Sequence, residues 1–141
     1  MRILVTGSRK VHVEPVQLEE LLLVWGPYTH VIHGGAQGID MWAHHYANKH
    51  KMGYSVRRAQ WDMYPKIAGF IRNQAMVNEG ANLCVACPGP TSHGTYDCVE
   101  RARRAGIPVH WIKLPGLTEE YHVEQQAYYK EHLLDVTQWI E

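Results

Sequence analysis

The sequence predicts an α/β protein with a Rossmann-like, three-layer fold: a central parallel sheet of about five strands, helices on both faces, and an extra C-terminal helix. Three observations predict it. Short apolar runs alternate with amphipathic stretches along the chain, the pattern of a parallel sheet covered on both faces. The runs are continuously apolar, as strands buried on both sides are. Glycine-rich sequence follows three of them: Gly7-Ser8-Arg9, Gly34-Gly35-Ala36-Gln37-Gly38, and Pro88-Gly89 through Gly94-Thr95. In such sheets ligands bind beyond the carboxyl ends of the strands.

Each element has its own signal. Arg2 to Thr6 is an apolar run closed by Gly7, the first strand. Glu14 to Trp25 sets Leu18, Leu21, Leu22 and Trp25 at helical spacing, and Gly26-Pro27 stops it. Thr29 to His33 is the second strand. Gly38 to Lys51 carries Ile39, Trp42, Ala43, Tyr46 and Ala47 on one helical face, and Gly53 ends it. Tyr54 to Arg57 is the third strand, Ile67 to Glu79 a helix and Leu83 to Ala86 the fourth strand. Thr95 to Ala105 is a helix closed by Gly106, and Pro108 to Ile112 is the fifth strand. Pro115-Gly116 makes a turn, and Thr118 to Ile140 reads as a C-terminal helix or two.

The reading divides the chain into a sheet domain, 1–113, and a helical extension, 114–141. The extension is expected to pack on the domain or on a partner subunit. Tyr129, Leu133, Val136 and Ile140 recur at helical steps and predict one apolar stripe. That stripe favours at least a homodimer, since the sheet already has helices enough to cover it.

Composition excludes several classes. The chain has 141 residues, with 14 Lys plus Arg against 14 Asp plus Glu, so its formal net charge is zero. A dedicated DNA-wrapping surface normally needs a basic excess. No apolar run approaches the roughly 18 residues of a membrane span. The opening MRILVTGSRK enters a strand at once and lacks a signal-peptide layout. Cys84, Cys87 and Cys98 make no disulfide framework, which points to a reducing cytoplasm. The Cys84-Val-Ala-Cys87 spacing has no second pair, and the histidines do not share a helical face, so no metal is expected. Neither the dinucleotide fingerprint nor the P-loop motif is present, and no cofactor is expected. The basic run Glu100-Arg101-Ala102-Arg103-Arg104 reads as the wet face of its helix.

The glycine-rich loops nevertheless suit an anion. A helix opening at Gly94-Thr95 leaves its first N–H groups unpaired and its positive dipole end outward. Gly94 admits an anion close to the backbone, and the Thr95 hydroxyl either caps the helix or bonds the ligand. Asp97 lies in the first turn; it either faces the hydroxyls of a sugar or only stabilises the helix. Arg72 and Asn73 are expected to open the helix of GFIRNQAM, where Arg72 is a bidentate partner of a phosphate or of Asp97, or else a solvated arginine. Trp61 and Tyr64 either stack on a base or cover the sheet edge. Asp40 sits in another helical first turn. The expected ligand-binding set is therefore Gly7, Ser8, Arg9, Gly34, Gly35, Ala36, Asp40, Trp61, Tyr64, Arg72, Asn73, Pro88, Gly89, Gly94, Thr95 and Asp97.

The segments MRILVTGSR, HGGAQGID, W-x-x-Y-x-K-x-A-G-x-I-R-N-x-x-M and PG…GT-x-D, in this order, resemble the SLOG superfamily. More closely, they resemble its small bacterial and phage branch related to YspA and YpsA, over about Met1 to Trp111. The resemblance implies a Rossmann-like domain that binds nucleotides or nucleotide-derived messengers such as ADP-ribose derivatives. The superfamily also includes the "lonely guy" phosphoribohydrolases and the DNA-processing proteins of natural transformation.

In the phosphoribohydrolases an arginine shortly followed by a methionine, and a glutamate after PGG-x-GT, carry the chemistry. Arg72 with Met76, and Asp97, fall on those positions. The resemblance thus implies Arg72 on the phosphate or leaving group and Asp97 on the ribose and its developing oxocarbenium charge. The loop PGPTSHGT is longer than the family's, Pro90 replaces its second glycine, and Asp97 is one methylene shorter than the glutamate. The expected function is binding of a ribose phosphate-containing ligand by a cytoplasmic homo-oligomer, as a sensor or a sequestering protein. The alternatives are a phosphoribohydrolase with Arg72 and Asp97 catalytic, and a single-stranded DNA-binding module.

Overall fold

The computed structural model describes residues 1–10 and 28–140. The helix expected from Glu14 to Trp25 lies outside the described residues. The strands are β1 (Arg2–Gly7), β2 (His30–His33), β3 (Gly53–Val56), β4 (Leu83–Cys87) and β5 (Val109–Trp111). They form one sheet in the order β3-β2-β1-β4-β5, and every neighbouring pair is parallel. Between them run α1 (Ile39–Lys49), α2 (Ala68–Glu79) and α3 (His93–Arg104), and α4 (Glu119–His132) follows β5.

Successive side chains of a strand point to opposite faces, and β1 shows what each face meets. Ile3 and Val5 face one side, where Val31 and Val85 of the neighbouring strands meet Ile39, Ala43 and Ala47 of α1. Leu4 faces the other, where Ile32 and Cys84 meet Met76 and Val77 of α2 and Cys98 and Ala102 of α3. Each fully buried Ile, Leu, Val or Met side chain among them contributes about 1.5–3 kcal/mol. Continuous apolar strands are therefore required here, and the fold is the three-layer, Rossmann-like α/β arrangement.

The strand order reverses at β1. The chain moves outward through β2 and β3, then returns to place β4 on the other side of β1. That topological switch opens a crevice beyond the ends of β1 and β4. The Ser8 N–H donates to the Cys87 carbonyl at 3.0 Å and carries the pairing of these two strands one residue past β1.

The C-terminal stretch departs from the expected single stripe. The helix α4 ends at His132, and Leu133 turns to extended backbone at φ −65° and ψ 121°. A short 3₁₀ turn, Thr137–Trp139, follows. The cause lies on α3: Arg104 Nη2 donates to the Lys130 carbonyl at 3.1 Å and Arg101 Nη2 to the Leu134 carbonyl at 2.9 Å. Asp135 then accepts from the Thr137 N–H and hydroxyl, a local turn that competes with helix. Tyr129 and Val136 are still buried, both within the chain, so covering them needs no second subunit. A buried hydrogen bond of 2.8 Å between Tyr96 Oη and His122 Nδ1 fastens α4 to α3. Among the described residues no helix is long and apolar enough to cross a membrane.

Candidate functional site

At the switch point lies a cleft of about 440 Å³. Its walls are the loop after β1 (Thr6 to Lys10), one side of α2 (Gly69, Phe70, Arg72, Asn73, Met76) and the start of α3 (Thr91 to Thr95). Ala36, Asp40 and Trp61 close the remaining side. A second lobe of about 370 Å³ shares Arg9, Ala36, Trp61 and Arg72 with the first and extends over Gly34, Gly35 and Arg58.

Close backbone approach explains two of the glycines. Gly38 has φ +76° and lies against the Ser8 carbonyl, where a Cβ has no room. The Ile39 N–H donates to that same carbonyl at 3.2 Å, so the loop after β1 rests on the start of α1. At Gly34 a Cβ would run into the Arg72 guanidinium. With hydrogen there instead, Arg72 lies across the backbone and its Nη1 donates to the Gly34 carbonyl at 3.0 Å.

Asp40 stands under the same loop. Its Oδ2 accepts from the N–H groups of Gly34 at 3.2 Å and Ala36 at 3.1 Å. Burial to 7% exposure pushes this carboxyl up to about 6, against the pull of the Ala36 amide and the Arg72 charge. Among the described residues it is the carboxylate that lines the cleft.

The start of α3 is open. Ser92 precedes the helix, but its hydroxyl accepts from the Gly89 N–H at 2.8 Å and is turned away from the helix amides. The Gly94 and Thr95 N–H groups donate to no described residue. Nothing lies within 4 Å of where a Gly94 Cβ would stand. Neither conformation nor packing asks for glycine there, whereas a ligand approaching the backbone would.

Arg72 and Asn73 sit in the second turn of α2, which begins at Ala68, rather than at a helix start. Arg72 Nε donates to Asn73 Oδ1 at 2.9 Å. Asn73 Nδ2 donates in turn to the Gly94 carbonyl at 3.1 Å and to Asp97 Oδ2 at 3.0 Å, which ties α2 to the start of α3. Trp61 is 46% exposed, its ring standing over Gly69 at the mouth of the cleft.

Asp97 corrects the expectation. It is 1% exposed and does not line the cleft. Arg101 holds it from one turn along the same helix, with Nε on Oδ2 at 2.9 Å and Nη2 on Oδ1 at 3.0 Å. A bidentate guanidinium four residues away engages both oxygens, and burial behind the cleft wall keeps them from a sugar bound in the cleft. The same pair overturns the wet-face reading of Arg101, which is 3% exposed and also donates to Gln74 Oε1 at 3.0 Å. Its neighbours Arg103 and Arg104 are exposed.

The other expected residues divide. Gly7, Ser8, Arg9, Ala36 and Thr95 line the first lobe, and Gly34 and Gly35 the second. Pro88 and Gly89 are buried and shape the loop from behind; the Pro88 carbonyl accepts from the Leu114 N–H at 3.0 Å. Tyr64 lines a third groove with Met63, Ile71, Trp139 and Ile140; that groove meets the second lobe at Arg58 and Arg72, but Tyr64 lines neither lobe with Trp61. Sequence reasoning missed Lys10, Phe70, Ser92, His93 and Arg58. Arg58 carried a usable signal, because it follows β3 as Arg9 follows β1.

Among known proteins, the chain is similar to the Gene 61 protein of Mycobacterium phage D29, at 40% identity over 118 residues. The alignment covers 77% of this chain and 93% of that protein. The chain belongs to the family of the phage Gene 61 protein. No protein-family model matches it. No solved structure matches it. A phage relative agrees with the bacterial or phage setting expected from the motifs. Among the described residues of this member of the Gene 61 family, the cleft walls carry Arg9, Lys10 and Arg72 against the carboxylate of Asp40, a local basic excess on a chain of zero formal net charge. Among the described residues no group of three or more His, Cys, Asp or Glu could hold a metal ion.

Proposed function

We propose that this chain is a SLOG-type protein that binds a nucleotide or nucleotide-derived ligand containing ribose phosphate, and that it senses or sequesters that ligand. The observation that carries this reading is the open start of α3. Two amides without an acceptor among the described residues, at Gly94 and Thr95, belong to a cleft wall opposite Arg72. A phosphate there gains the helix N-terminus, the Thr95 hydroxyl and the remaining N–H groups of Arg72. The exposed ring of Trp61 at the cleft mouth offers a face for a base.

Binding without turnover is favoured because Asp97, the carboxylate expected to work on the ribose, is consumed by Arg101. Mass spectrometry of small molecules carried through purification tests the reading directly. A co-purifying nucleotide or nucleotide derivative supports it; none, together with no binding of added nucleotides, opposes it.

One observation favours a hydrolase as the second reading. Asp40 lines the cleft with its carboxyl raised to about 6, within the range suited to general acid–base work at neutral pH. Incubation with nucleoside 5′-monophosphates separates the two readings: free base appears if the ligand is cleaved, and Asp40→Asn then abolishes its release.

A further inference from the structure

The second lobe is a different kind of site from the first. Two guanidinium groups are pinned there on successive carbonyls: Arg72 Nη1 on Gly34 at 3.0 Å and Arg58 Nη1 on Gly35 at 3.0 Å. Arg9 lines the same lobe and donates to no described residue. No described residue lining the lobe is acidic. Asp40 stands beside Arg72 without lining the lobe and offsets part of its charge, but among the described residues one carboxylate against three guanidinium groups leaves the hollow positive, which favours an anion there.

The neighbouring Arg57 shows what a structural arginine looks like on this strand end. Its Nε pairs with Glu79 Oε1 at 2.9 Å, and Glu79 also takes Arg2. Arg58 has no such carboxylate among the described residues; its one recorded bond orients it toward the lobe and leaves the rest of its fork open. Trp61 and Arg72 form a wall common to both lobes, so one ligand can reach from the α3 amides into the second lobe.

We propose that the second lobe is a separate anion subsite, gripped by Arg58 and Arg9, for a second phosphoryl group of the same ligand. The ligand class is then a nucleotide with at least two phosphoryl groups, such as a nucleoside diphosphate, rather than a monophosphate. This inference rests on the nucleotide reading of the first lobe.

The test is calorimetry on the full chain with the 5′-monophosphate and 5′-diphosphate of adenosine, guanosine, cytidine and uridine. The probes go against wild type, Arg58→Gln, and Lys130→Gln, which removes one exposed charge outside the cleft. For the base that fits, the diphosphate is expected to bind wild type at least about ten-fold tighter than the monophosphate, about 1.4 kcal/mol. Arg58→Gln is expected to erase that preference while leaving the monophosphate affinity within about two-fold, and Lys130→Gln to preserve it. Equal affinity for both forms in wild type overturns the subsite, as does an equal loss for both forms in Arg58→Gln. So does a preference that Lys130→Gln erases as fully. A monophosphate that binds without gain from the second phosphate removes this inference alone, whereas no binding by any nucleotide removes the nucleotide reading and the subsite together.

Discussion

Arg101 grips Asp97 with two parallel bonds, Nε to Oδ2 at 2.9 Å and Nη2 to Oδ1 at 3.0 Å, and the same guanidinium reaches the carbonyl of Leu134 at 2.9 Å. One buried ion pair on α3 therefore joins three parts of the molecule. Asn73 brings in α2, and Leu134 brings in the C-terminal extension. This pair holds the fold behind the cleft wall instead of serving the ligand.

Replacing Arg101 with Ala leaves a buried carboxylate and an orphaned carbonyl. The expected loss is about 3–5 kcal/mol of stability, the usual result of stranding one half of a buried pair. Urea unfolding measures it, and Asp97→Asn in the Arg101→Ala background should recover part of the loss. A loss below about 1 kcal/mol would mean that water already reaches Asp97.

Gly94→Ala separates ligand approach from folding. The space beside Gly94 is empty, and alanine is the better helix former by up to about 1 kcal/mol. The unfolding midpoint should hold or rise, while nucleotide affinity falls about ten-fold or more because a methyl group then stands over the amides. Unchanged affinity in calorimetry would move the phosphate away from the start of α3.

Asp40 gives the cleft a pH signature. Its carboxyl is raised by burial to about 6, above its value in the unfolded chain, so the folded form binds the proton more tightly. Its contribution to stability is therefore fully present below about pH 4, declines as pH rises from 4 to 6, and is flat above that, a change on the order of 3 kcal/mol. Asp40→Asn should flatten stability over that window and raise affinity for a nucleotide at pH 7.5 a few-fold by removing a negative charge from the cleft. Unfolding curves between pH 4 and 7 decide; parallel wild-type and mutant profiles would place the titration elsewhere.

The sheet was legible in the sequence because Ile3, Leu4 and Val5 are all buried, and only a strand covered on both faces needs that continuity. Gly7 marked a strand end for a physical reason, since the Cys87 carbonyl and Ile39 stand too close for a Cβ, and at Gly34 the Arg72 guanidinium fills that space. Asp97 and Arg101 were not legible. An i,i+4 pair has the same spacing on a wet face as in an interface, and what buries this one is Gln74 and Leu134 from elsewhere in the chain. The break at Leu133 was hidden for a similar reason. No glycine or proline marks it, and arginines on α3 draw the last carbonyls away from helical partners. Arg58 stayed unremarked because its role depends on Gly35 lying beside it, and the two are 23 positions apart in sequence.

The central claim is that the cleft binds ribose phosphate through Arg72 and the open amides of α3. Calorimetric titration of wild type and Arg72→Ala with the four common ribonucleoside 5′-monophosphates tests it most directly, with unfolding curves run alongside. The account predicts that at least one monophosphate binds wild type, and that Arg72→Ala loses about 1.5–3 kcal/mol of that affinity while staying folded at the titration temperature, with a lower unfolding midpoint because the Gly34 carbonyl and Asn73 Oδ1 lose their donor. Equal affinity in the two proteins, or no binding to wild type by any of the four monophosphates or their diphosphates, would contradict it.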